Sequence, residues 1–142
     1  MIPLTDFAYR RVLDGARVPL RDTRTHPMRF EWVYDGLLLA LISDNAWGKY
    51  PIEEFAPHLA LDPTDPDVAR LIDRRIAEAF GYTDVHAAMI DIHDGQWRMI
   101  VYSANPTGAR PVDAPFDVEP RPENLPLARA ALLCALYPSE PR

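Results

Sequence analysis

Cysteine is nearly absent: Cys134 is the only one in 142 residues, so no internal disulfide can form. A chain of this length buries about 70% of its unfolded surface and needs no such staple, which fits a reducing compartment. Lysine is as scarce, with Lys49 alone against fourteen arginines; together with abundant Ala and Pro this bias points to GC-rich coding, hence to bacteria or their phages. Long apolar runs are missing too. The longest aliphatic stretch, Leu37 to Ile42, falls far short of the roughly 20 residues that span a bilayer. The start, MIPLTDFAYRR, has no basic flank followed by an apolar segment. The expectation is a cytoplasmic protein of a bacterial host cell with no membrane partner. Six glycines form no phosphate-binding loop, and Ser43, Ser103 and Ser139 lack the surroundings of a nucleophile elbow.

What is present is ordinary globular material. With 48% hydrophobic and 25% charged residues the chain can build one real core, and residues 1–142 read as a single domain. Fifteen prolines are scattered rather than repeated, so they read as turns, helix starts and edge breakers. Charge is uneven: residues 1–29 are net +3, residues 30–68 are net -7, and the whole chain is net -6. The two stretches are expected to fold against each other; the competing use of such asymmetry is to steer a charged partner.

The spacing predicts a short helix from Thr5 to about Asp14, capped by Thr5 and left through Gly15. The arm from Arg17 to Pro27 is basic and aperiodic. Nucleic-acid modules pair such charge with stacking aromatics on a sheet or with a recognition helix, and neither accompanies this run, so direct nucleic-acid binding is not expected. Residues 28–43 read as a hairpin turning on Asp35-Gly36, with Met28, Phe30, Trp32, Tyr34, Leu37, Leu39 and Leu41 on one wholly apolar face and Arg29 and Glu31 on the other; Leu37 to Ile42 could alternatively start a helix. A loop then carries Trp47 and Tyr50 into a short helix near Pro51 to His58. Asp65-Pro66 starts a helix whose apolar face is Val68, Leu71, Ile72, Ile76, Ala79 and Phe80, with Arg70, Asp73, Arg74 and Glu78 opposite and Gly81 at its end. A second hairpin, about His86 to Ser103, turns on Asp94-Gly95 and pairs Ile92 with Trp97, Ile90 with Met99, Ala88 with Val101 and Asp91 with Arg98. Val112 to Glu119 reads as an edge strand blocked by Pro115. Leu125 to Tyr137, capped by Asn124, reads as a buried helix whose Ala-rich side offers a homodimer contact. The fold class that follows is α+β: one antiparallel sheet built from two Asp-Gly hairpins and packed against amphipathic helices.

Candidate chemistry is thin. Cys134 sits in an apolar helix as a core thiol, and His26, His58, His86 and His93 have no zinc-site spacing. Asp91 and His93 share a strand face and could converge on a cation, but Arg98 and the turn account for Asp91 and Asp94 without one. No metal and no cofactor is expected.

The last third, Met89 to Ser103, Asp113 to Glu119 and the run Leu125-Pro-Leu-Ala-Arg-Ala-Ala-Leu-Leu-Cys134, resembles the phage ABA sandwich domain. That resemblance implies a phage or prophage source and carries no catalytic residues over. The function expected is therefore binding, not catalysis: a small acidic inhibitor of a host defence complex, of the anti-CRISPR kind, whose carboxylates mimic phosphate to a basic surface of its target. The residues expected to make that contact are Trp47, Tyr50, Glu53, Glu54, Asp62, Asp65 and Asp67. An immunity protein against a cognate toxin and a metal-assisted hydrolase built on Asp91 and His93 are the alternatives.

Overall fold

The strongest local signal becomes a helix with a capped start. Asp65 accepts hydrogen bonds from the backbone N–H groups of Asp67 (2.9 Å) and Val68 (3.2 Å), Pro66 occupies the first helical position, and Gly81 leaves the helix with a φ of 93°. In this computed structural model residues 1–44, 46–82, 85–103, 110–113 and 117–140 are described. Along them run β1 (Ile2–Pro3), α1 (Tyr9–Val12), β2 (Arg21–Asp22), β3 (Phe30–Tyr34), β4 (Leu37–Ser43), β5 (Ala46–Pro51) and α2 (Ile52–Phe55). There follow β6 (Leu59–Leu61), α3 (Pro66–Ala79), β7 (Val85–His93), β8 (Gln96–Ser103), β9 (Arg110–Asp113) and α4 (Leu125–Leu136).

The architecture is α+β with three antiparallel sheets, in the orders β1-β6-β2, β3-β4-β5 and β7-β8-β9, packed with the helices around one core. An antiparallel bridge between Leu20 and Phe30 links the first sheet to the second. The two hairpins therefore do not share a sheet, as the sequence had suggested. Each takes its third strand from the chain that follows it, β5 beside β4 and β9 beside β8, and each closes a sheet of its own. Both turns, Asp35-Gly36 and Asp94-Gly95, hold their two residues at positive φ, between 51° and 74°.

Several expected elements are placed differently. The helix from Thr5 is broken: Leu4–Asp6 is a single 3-10 turn, Phe7 is extended and bridges Pro138, and Ala8 donates to the Tyr137 carbonyl at 2.9 Å before α1 begins. Pairing with the far end of the chain outweighs a marginal helix. The loop holding Trp47 and Tyr50 is strand β5, and the helix near Pro51 reduces to α2 and a 3-10 turn. Asn124 caps nothing with its side chain, which donates instead to the Glu119 carbonyl. Of the expected edge strand at Val112, the structure holds β9, with Pro111 opposite Ile100; Pro115 lies outside the described residues.

The largest departure is Asp73. Assigned by periodicity to the polar face of α3, it is buried and accepts two hydrogen bonds from Arg129 of α4, at 2.9 and 3.1 Å, and one from the backbone N–H of Ile90. Because β7 is an edge strand, that N–H faces away from its sheet and needs a partner, which Asp73 supplies. Burial pushes the Asp73 carboxyl up to about 6, against the pull of Arg129 and Ile90.

An acid whose native pKa lies above its ordinary 3.8 keeps its proton longer folded than unfolded. Its contribution to stability is therefore greatest below about pH 4, declines as the pH rises to about 6, and is flat above. Asp73→Asn should remove that slope, read as urea midpoints across the same range. Asp73→Ala at neutral pH should cost about 3–5 kcal/mol by stranding Arg129, while Asp73→Leu with Arg129→Met should recover most of the loss.

Candidate functional site

The second sheet carries an aromatic cluster on each face, and one bulge separates them. Tyr34 pairs with Leu37 and Trp32 with Leu39, but the register slips between Trp32 and Phe30, so Phe30 faces Ala40 rather than Leu41. Glu31 takes the extra position. Phe30 and Val33 then point into the core, and Trp32 and Tyr34, which alternation had grouped with Phe30, point outward. The single apolar face expected for the hairpin is thus split between the two sides of the sheet.

On the inner face Phe30, Tyr50 and Phe55 meet edge to face, with centroids 5.3–5.8 Å apart. Gly48 makes room for them: a Cβ there would lie 2.8 Å from the Tyr50 ring. Arg24 stacks over Phe55 at 4.9 Å and is held by Asp22, whose fully buried carboxylate takes Arg24 in two-pronged fashion and also accepts from the Met28 N–H at 3.0 Å. The Arg24 hydrogen bonds, helped by those backbone donors, hold the Asp22 carboxyl far below the usual carboxylate range. The basic arm is thus an organised turn built on one buried acid.

The outer face is left open. Cross-strand partners share a face, so Tyr34, Leu37 and Pro51 form one row, Trp32, Leu39 and Lys49 the next, and Leu41 and Trp47 a third. Trp32 lies 5.6 Å from Tyr34 and 6.3 Å from Trp47, the latter edge on. Only Leu39 is buried beneath them. Tyr34 remains 59% exposed, Leu41 46% and Trp47 36%. Arg17, from the segment that runs beside β3 with the Val33 N–H donating to Ala16, places its guanidinium 4.6 Å from the Trp32 ring centre. Solvated aromatic and aliphatic side chains gathered on one sheet face, with cations beside them, mark an interaction surface.

The seven residues expected to make contact do not gather here. Trp47 is on the outer face, but Tyr50 is on the inner one, packed with Phe30 and Phe55. Glu53 pairs with Arg10 at 3.1 Å, on the wall of a cavity of about 580 Å³ lined also by Thr5, Tyr9 and Ser139. Asp62 pairs with Arg21 at 3.3 Å, and its carboxyl is held low first by the Thr64 hydroxyl and then by the Thr64 N–H. Asp65 caps α3, Asp67 pairs with Arg70, and Glu54 is exposed. The basic and acidic stretches meet in the Arg10–Glu53 and Arg21–Asp62 pairs.

Asp91 is exposed and accepts from the Ile92 N–H, and His93 faces its neighbour Asp94 at 3.4 Å. No trio of His, Cys, Asp or Glu side chains that could hold a metal ion occurs among the described residues. Cys134 is half-buried, and burial together with Asp6 pushes its thiol up from the ordinary value. No helix among the described residues is long and apolar enough to cross a membrane.

Arg17, Trp32 and Tyr34 were not singled out as contact residues, although one signal was in the sequence. Leu37 to Ile42 is apolar at six consecutive positions, and a strand with that pattern must be apolar on both faces, while this chain has one core. No family model, curated protein or solved structure matches the chain, so the resemblance of its last third to the phage ABA sandwich domain rests on the residues alone.

The two faces should respond differently to truncation. Phe30→Ala should cost about 3–5 kcal/mol, as for a fully buried ring, whereas Tyr34→Ser should change stability by no more than about 0.5 kcal/mol. Equal losses in chemical denaturation would show that both rings serve the core. Gly48→Ala should cost about 1–3 kcal/mol by displacing the Tyr50 ring, seen as a lower unfolding midpoint.

Proposed function

We propose that this chain is a binding protein rather than an enzyme, and that it engages a nucleic-acid-handling assembly through the outer face of the second sheet. The observation that carries this reading is the exposure of Tyr34, Leu41 and Trp47 on one side of a sheet whose other side already fills the core. Solvating those groups is unfavourable by about 25 cal/mol per Å² of apolar surface, and a partner removes that cost. The role in which such a binder fits best is the inhibitor of a host defence complex, with the contact made by aromatic and apolar groups.

Phosphate mimicry by the acidic stretch has less behind it. Glu53, Asp62 and Asp67 hold arginines of their own chain and Asp65 holds a helix N-terminus, so a target would have to displace those partners first. Glu54, the fifth of these carboxylates, is exposed and holds no arginine among the described residues.

The test is capture from bacterial lysate with a tagged chain, washed at low and high salt and read by mass spectrometry. Wild type should retain a nucleic-acid-handling complex that the Tyr34→Ser/Trp47→Ser double variant loses, with both proteins unfolding at similar denaturant concentrations. Capture that survives in the double variant but is lost on charge reversal of Glu53, Glu54 and Asp67 would return the contact to the acidic stretch.

A further inference from the structure

The arm from Arg17 to Pro27 is the one basic run of this acidic chain, and along the sequence no aromatic platform accompanies it. The fold supplies one. Arg17 lies over Trp32, Trp32 touches Tyr34 and Trp47, and Lys49 stands across the sheet in the same row as Trp32 and Leu39. The cations thus flank the rings from opposite sides, Arg17 beside β3 and Lys49 on β5. We infer that this face binds a single-stranded nucleic acid, its bases stacking on the exposed Tyr34 and Trp47 rings, with Trp32 holding Arg17 between them, and its phosphates meeting Arg17 and Lys49. The inference rests on the reading above that the outer face is the contact surface, and it names which component of the nucleic-acid-handling assembly that surface holds, the single strand itself.

Charge complementarity selects this occupant. A second copy docked face to face would bring Arg17 and Lys49 of one molecule against those of the other in an interface that excludes water, where like charges are costly. An acidic peptide would meet the two cations, but it offers no repeated flat surface for the exposed Tyr34 and Trp47 rings. A single strand offers both, because every base has a π-face and every linkage a phosphate. Duplex DNA hides its base faces, so it would use only the two cations, and the net charge of -6 opposes a purely electrostatic association with any polyanion. Binding must therefore come from the local face and depend on stacking.

The experiment is a titration of the full chain with a labelled oligothymidylate of about 12 nucleotides, followed by anisotropy and by tryptophan fluorescence. Saturable binding should quench the tryptophans and weaken with salt, with a log–log slope of roughly -1.4 for two phosphate contacts. Trp47→Ala and Arg17→Gln should each weaken it about tenfold, the loss of one stacked base or one charged contact. Lys49→Glu, an exposed change on the strand, should do the same and guards against a Trp47 variant that fails to fold. Glu123→Gln, exposed in the turn before α4, should leave affinity unchanged. Equal affinity for duplex and single strand, binding unaltered in these variants, or equal affinity for polyglutamate would each overturn the inference. If no oligonucleotide binds while capture from lysate still depends on Tyr34 and Trp47, the occupant is wrong and the surface stands. Failure of both removes the surface as well.

Discussion

The carboxylate of Asp73 is the point at which the two long helices and the third sheet are joined. It holds Arg129 of α4 from α3 and satisfies the outward N–H of Ile90 on the β7 edge. Apolar packing of Ile72, Ile76, Ile90, Met99, Leu132 and Leu133 supplies most of the stabilisation, but it is non-directional. The ion pair adds direction. A buried charge that loses its partner is costly, so the arrangement in which Asp73, Arg129 and Ile90 meet is favoured over neighbouring packings that bury the same area. Arg75, two residues beyond Asp73 on α3, performs a similar service toward the N-terminal segment by donating to the carbonyls of Val12 and Asp14.

The second sheet follows a different constraint, that of a two-sided element beside a single core. Phe30, Val33, Leu38, Ala40 and Tyr50 already fill the inner side, with Gly48 and Ala40 kept small where rings crowd. The apolar groups left over must go outward. The bulge at Glu31 decides which they are, since it sends Phe30 inward while Trp32 and Tyr34 stay outside. Arg17 then reaches Trp32 because the chain beside β3 runs from Ala16 to Leu20, with Val33 and Phe30 bonded to it. The candidate surface is thus a by-product of register, assembled from three consecutive strands and the segment at Arg17.

Charge tells a parallel story. The basic first segment and the acidic second one meet in specific pairs, Arg10 with Glu53 and Arg21 with Asp62, while Asp22 turns inward to organise its own arm. These pairs are largely solvated and contribute little stability each. Their consequence is for recognition: acids committed to internal arginines present a weaker anionic field than the sequence suggests. The cations that remain near the aromatic face, Arg17 and Lys49, stand out locally against a negative whole.

Much of this protein was determined locally and was legible in the chain. Helix α3 is written in Asp65-Pro66, the recurrence of Val68, Ile72 and Ile76, and Gly81, because a cap, a first-turn proline and a periodic apolar face all act within a few residues. An α+β class follows from the coexistence of two periodicities. What only the tertiary structure decided are the features that depend on a distant partner. Phe7 is extended because Pro138 pairs with it, Asp73 is buried because Arg129 and Ile90 wait for it, and Trp32 is outside because one residue is inserted before it. A one-residue slip reverses the faces of a strand, and composition is blind to such a slip. The same slip divides an apparently single apolar face between the core and an open aromatic side.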